Sequence, residues 1–304
     1  TQAYRGIDFQ LLATFTQAFL HDRFQAIAGE PVIDLVREIA NPLPVMVVSE
    51  LMGVPSEQQE MVCQKVGAFV RARGLTQTQS TVEEGDDSMG FYNEYFLPLI
   101  REKRQHLSTD LLSRLISDHQ ENMHLTDEQL LLVISSNFYS ASIYTLRLLV
   151  GTVAWALSLH PEVYTRIRAD RQLVAPALEE VLRWDPPAQA INAGTALEDM
   201  EIDGKIIRAG ESVSALVSAA NRDPRVFEHP DQFLIDRNPN HHLSFAPGLH
   251  QCLGLHLARM EGACFLNALC DHFESLEVVE GESRRLLGDR FRGFDRLLLK
   301  ASPV

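Results

Sequence analysis

The stretch Phe245-Ala246-Pro247-Gly248-Leu249-His250-Gln251-Cys252-Leu253-Gly254-Leu255-His256-Leu257-Ala258-Arg259 sets one cysteine between two glycines, with a basic side chain two residues before it. Glycines let a backbone close tightly, so peptide N–H groups can turn toward the sulfur. Such donors stabilise a thiolate, and the thiolate is the form that binds iron. Leu255 to Leu269 reads as a helix, which brings the positive end of its dipole close to Cys252. The spacing points to Cys252 as the axial ligand of a heme iron. A buried free cysteine is the competing reading of Cys252 taken by itself.

The whole stretch resembles the cysteine-ligand loop of the cytochromes P450, matching at Phe245, Gly248, His250, Cys252, Gly254, Leu257, Ala258 and Arg259, with Ala246 where glycine is more usual. The resemblance implies a heme b held by the Cys252 thiolate, with Phe245, Gly248, His250, Gly254 and Ala141 as cofactor contacts. Other stations follow in the family's order. Glu180 and Arg183 sit three apart on one helix face and form an ordinary ion pair when read locally. The resemblance gives the pair a structural role, locking the heme-binding core. In Asn221-Arg222-Asp223-Pro224 and His229-Pro230-Asp231-Gln232-Phe233, Gln232 takes a place where arginine is common, which puts the third partner of that network in doubt. Arg292-Gly293-Phe294 matches a late turn. Gly194 precedes Thr195-Ala196-Leu197-Glu198-Asp199 where an arginine usually grips a propionate, leaving His250 for that task.

The oxygen-activating segment of the family falls on Ala141-Ser142-Ile143-Tyr144-Thr145. Thr145 is the family's threonine, and a helix threonine can turn its hydroxyl toward the reaction while distorting the helix locally. Tyr144 replaces the usual acid, and a phenol is a poor proton relay at neutral pH. Plain helix packing is the competing reading of both. Arg147 lies inside the same apolar run and needs an anionic partner or water, so a substrate acid or phosphate would suit it.

The elements that must position these residues are mostly helices. Phe9, Leu12, Phe15, Phe19, Phe24 and Ile27 carry helical spacing over 7–28, ending at Gly29. Ile33 to Met52 reads as a second helix, Ser56 as the cap of a third reaching about Arg73, and further helices follow at 89–106 and 109–120. Residues 74–88, with Glu83, Glu84, Asp86 and Asp87, read as a solvated loop. Thr126 with Gln129 is a capping-box signature opening the longest helix, which runs to His160-Pro161 and should be buried. Short helices are predicted at 161–169 and 173–184. After Pro187 the texture turns to strand. Met200-Glu201-Ile202 and Lys205-Ile206-Ile207 flank Asp203-Gly204, a hairpin with a primed turn, and Glu211 to Ala219 reads as another strand.

This predicts a mainly α cytochrome P450 fold with small β regions after Pro187. It is one P450-like heme domain over 1–304: helical 7–185, a β-hairpin region 188–220, the cysteine-ligand loop and helix 245–272, and a C-terminal β region 276–301. The family's N-terminal strands, its early propionate-binding helix and its first substrate loop have no counterpart, so a truncated or minimal N-terminus is expected, with one side of the heme open to water. Hydrophobic residues make up 45% of the 304, charged ones 22%, and the net charge of −14 argues against nucleic acid as a partner. Cys63, Cys252, Cys264 and Cys270 show no disulfide or zinc spacing, and no run of eighteen apolar residues marks a membrane span, so a cytoplasmic protein is expected. By resemblance the activity is monooxygenation of a small organic, biosynthetic substrate, fed by a ferredoxin or other electron donor. Two alternatives stand beside it: a heme-thiolate enzyme of dehydration, rearrangement, cyclisation or peroxide use, and a non-catalytic P450-like partner of another biosynthetic enzyme.

Overall fold

A computed structural model describes residues 2–72, 83, 90–122, 125–287 and 290–304. The solvated loop expected at 74–88 lies outside the described residues except for Glu83. The longest helix opens on its predicted capping box: Gln129 N–H donates to Thr126 Oγ1 at 3.2 Å, and Thr126 N–H donates to Gln129 Oε1 at 3.0 Å. It continues for 33 residues, about 50 Å at 1.5 Å per residue. Its middle, Ile134–Ser140, winds as a π-helix between the α-helical parts Asp127–Val133 and Ala141–Leu159. The chemistry of that widening is local. The hydroxyls of Ser135 and Ser136 both donate to Leu132 O, competing with the backbone ladder. By length and hydropathy this helix would suit a membrane span, yet 67% of its apolar window is buried against the rest of the chain, as a core helix would be.

The helix Phe9–Ile27 begins at Asp8, whose carboxylate accepts from the N–H groups of Gln10 and Leu11. It packs along Leu255–His272, the helix that follows the cysteine loop. Phe24 stacks on His272 and meets Phe273 edge-on, each at 5.5 Å. From the side of the helix Pro161–Ala169, Tyr164 donates to the carbonyls of Leu269 and Phe273.

Three sequence expectations change. Ile33–Asp34 is a short strand, β1, not the start of a helix. It pairs with Leu298 and Leu299 because that edge offers open backbone partners, and helix resumes only at Val36. Ser56 is the first residue of the helix Ser56–Ala72 rather than its cap, and its hydroxyl turns to Glu57. The strand read over 211–219 ends at Ala215, and Val217–Ala220 forms a helical turn.

The remaining strands are β2 (Ile191–Thr195), β3 (Met200–Ile202), β4 (Lys205–Ile207), β5 (Ser212–Ala215), β6 (Phe273–Val278), β7 (Arg284–Leu287), β8 (Arg292–Arg296) and β9 (Leu298–Pro303). Antiparallel pairing joins β1-β9-β6 into one sheet, and β2-β5, β3-β4 and β7-β8 into ribbons. The β3–β4 turn has positive φ at both Asp203 (53°) and Gly204 (76°), the primed geometry predicted.

Candidate heme site

A cavity of about 470 Å³ lies between the long helix and the cysteine loop. Asn137, Ala141, Thr145 and Leu149 line it from the long helix. Phe245, His250, Cys252 and Gly254 line it from the loop, and Leu182, Pro187, Ala188 and Ile191 add apolar wall. The arrangement follows from spacing: Ala141, Thr145 and Leu149 recur every four residues and share a helix face.

Cys252 N–H donates to Phe245 O at 2.8 Å, closing the loop on itself. The sulfur is served by another donor, the N–H of Gly254, just before the helix Leu255–His272 begins. Burial pushes the Cys252 thiol up, while that N–H and the Arg259 cation pull it down. The other three cysteines are also free thiols, but burial drives Cys63 to about 12 and Cys264 and Cys270 to about 11, and none of them lines the cavity. Gly248 is not a lining residue. It holds φ +75° at the start of the turn Gly248–His250, a conformation that suits glycine.

Ala246 has φ +51° and does line the cavity. A left-handed non-glycine residue costs roughly 1–2 kcal/mol, and glycine's larger unfolded-state entropy offsets about 0.5–1 kcal/mol of the relief. Ala246→Gly is therefore expected to stabilise the fold by at most about 1.5 kcal/mol and raise the urea midpoint, and the β-branched Ala246→Val to lower it. Equal midpoints for the two variants would contradict the strain.

Thr145 donates its hydroxyl to Ala141 O at 2.8 Å, on the cavity wall. Tyr144 is one residue, about 100°, around the helix and does not line the cavity. It meets Phe291 edge-on at 5.0 Å, and the Arg147 guanidinium lies 5.7 Å from its ring. Burial raises its phenol pKa further. Arg147 reaches Asn41 Oδ1 at 3.4 Å and is not a lining residue either. The structure thus brings Thr145, Ala141, Phe245, His250, Gly254 and Cys252 together and leaves Tyr144 and Arg147 outside.

Beneath the loop, Glu180 and Arg183 are both fully buried, which overturns the local picture of a surface pair. They form a two-pronged bridge with both N···O distances 2.8 Å. Arg183 also donates to the carbonyls of Asn221, Pro230 and Gln232. The third member, expected at the place Gln232 occupies, is Arg237: its Nε lies 3.2 Å from Glu180 Oε2, and it is 8% exposed. Gln232 gives only its carbonyl. Leu234 N–H and Asn240 Nδ2 complete the ring of donors around Glu180. Sequence spacing showed the pair but not Arg237, which is 57 residues from Glu180.

The neighbouring Glu179 was also missed. Arg259 grips it through Nε and Nη2, each at 2.7 Å, and His242 Nε2 sits 3.0 Å from its second oxygen. Burial alone would raise this carboxyl, but these hydrogen bonds outweigh it and hold it at about 2. A depressed folded-state value stabilises above the ordinary carboxylate range near 4 and is lost as pH falls toward 2. The stability gap between the wild type and Glu179→Gln is therefore expected to be full at pH 7 and to shrink between pH 4.5 and 2, as read by thermal unfolding. A pH-independent gap would contradict the ion pair.

A single thiolate in a mostly apolar cavity suits an iron that brings its other ligands with it. Among the described residues no group of three His, Cys, Asp or Glu side chains is placed to hold a bare metal ion. Heme fits this donor set.

Comparison with known proteins agrees. Residues 76–287 match the family model described as Cytochrome P450. The chain is 32% identical over 283 residues to a biotin biosynthesis cytochrome P450 of Bacillus subtilis (strain 168), covering 91% of this chain and 70% of that one. It is 36% identical over 260 residues to the vitamin D3 dihydroxylase of Streptomyces griseolus, covering 84% of this chain and 61% of that one. The chain thus spans less than two thirds of the second relative's length. Among solved structures, substrate-free CYP109E1 of Bacillus megaterium superposes with a TM-score of 0.90 at 28% identity, over 100% of this chain and 80% of that one.

Proposed function

This chain belongs to the cytochrome P450 family, the heme-thiolate oxidoreductases, and we propose that it is a monooxygenase that oxidises a small organic substrate in the cavity between Thr145 and Cys252. The observation that carries this reading is Cys252: it faces the cavity with Gly254 N–H on its sulfur, and Thr145 lines the same space. When bound, the heme supplies the oxygen chemistry, which thiolate ligation favours. Cys252 would hold its iron, Phe245 and Ala141 would pack on it, and His250, exposed in the loop, would take a propionate.

The chain's own residues do the rest. Gly254 N–H and Arg259 favour the thiolate form, opposing the burial that raises the thiol. The apolar wall of Leu146, Leu149, Leu182, Pro187 and Ile191 takes up an apolar substrate and excludes water. Thr145 offers a hydroxyl that can leave Ala141 O and bond in the cavity. Electrons would come from a ferredoxin or similar protein in the cytoplasm.

One observation favours a second reading. Tyr144, read at the usual acid's place, is turned toward Phe291, so that position supplies no acid beside Thr145. Peroxide use or non-oxygenating chemistry would not need that acid. Turnover separates the two. Monooxygenation predicts product only with an electron donor and oxygen together, whereas product formed from peroxide alone, or with no oxidant, would overturn it.

A further inference from the structure

The carboxylate of Glu179 does not line the cavity, yet it joins three segments that shape the cysteine loop. It lies on the helix Val174–Trp184, beside Glu180. Arg259, from the helix after the loop, and His242, from the chain before it, both converge on it. Ser244 N–H donates to His242 Nδ1 at 3.3 Å, so Nε2 carries the proton given to Glu179. Both groups then hold Phe245. The Arg259 guanidinium lies 4.8 Å from its ring centre, and the His242 ring lies at 5.9 Å. Phe245 O, in turn, is the acceptor for Cys252 N–H.

We propose that Glu179 is a positioning residue that sets how strongly the Cys252 thiolate donates to iron, by fixing Phe245 and by balancing the Arg259 charge beside the loop. The proposal rests on the reading of Cys252 as the iron ligand. Wild type carries one negative and one positive charge in this clamp. Glu179→Gln leaves the cation unbalanced, which draws density from sulfur and favours the reduced state. Arg259→Gln leaves the anion unbalanced and does the reverse. The double variant is balanced again.

The test is a spectroelectrochemical titration of the four heme-loaded proteins. The expected result is a potential raised by Glu179→Gln, by about tenfold in the reduction equilibrium or about 59 mV for one electron. The potential should fall in Arg259→Gln and return near wild type in the double variant. Glu179 is 27% exposed at its side chain, so the neutral isostere is a mild change, and Glu179→Asp, which keeps the charge, should stay near wild type. Loosening of structure alone would move both single variants the same way and the double variant further. That pattern, or unmoved potentials, overturns the clamp. The reduced carbon monoxide spectrum of each sample separates this from its premise: a wild type without a thiolate-type band overturns the reading of Cys252 and the clamp with it.

Discussion

Glu180→Ala is expected to destabilise the protein by about 3–5 kcal/mol, the usual cost of removing one partner from a buried pair. The magnitude follows from what is left behind. Arg183 is fully buried and Arg237 is 8% exposed, so both guanidinium groups would lose their carboxylate away from water. Leu234 N–H and Asn240 Nδ2 would lose their acceptor as well. A domain of this size has a total stability on the order of 5–15 kcal/mol, so the variant should melt on the order of 10 °C lower. Heme uptake should weaken with it, because the carbonyls that Arg183 ties belong to the segment leading into the cysteine loop. The check is a melting curve with heme content read alongside. A variant that melts with the wild type would show that this network is not what holds the loop's foundation.

Cys252→Ser is expected to abolish activity while leaving the fold intact. The side chain faces the cavity rather than the packed core, and exchanging a thiol for a hydroxyl there is a surface-like change, within about 0.5 kcal/mol. Chemically the exchange is severe. A serine hydroxyl stays protonated at neutral pH and is a weak ligand to iron, so both the thiolate signature and substrate oxidation should be lost together. A serine variant that retained turnover, at wild-type melting temperature, would place the chemistry somewhere other than this cavity.

The cysteine loop was legible because its meaning is local: glycine, basic residue, cysteine and helix start all lie within fifteen residues. The long helix was equally plain, since its capping box and apolar run are contiguous. What was not legible depended on distant partners. The spacing of Glu180 and Arg183 reveals a shared face but not whether that face is buried, and Arg237 joins them only after a long excursion of chain. β1 was hidden because a two-residue strand has no periodicity, and its partner lies at Leu298 and Leu299. Tyr144 shows a different limit. The resemblance sets it at the family's acid, yet the four-residue rhythm of Ala141, Thr145 and Leu149 already turns Tyr144 off their face. Glu179 had a weaker signal, as one of two adjacent acids that necessarily point different ways around one helix.

Everything proposed for the cavity depends on Cys252 binding iron as a thiolate. The most direct test is the absorption spectrum of the purified, heme-loaded protein, reduced and exposed to carbon monoxide. Heme uptake and the thiolate-type carbon monoxide band are expected, the band being absent from Cys252→Ser. A protein that takes up no heme, or a band of the histidine-ligated type, would contradict it.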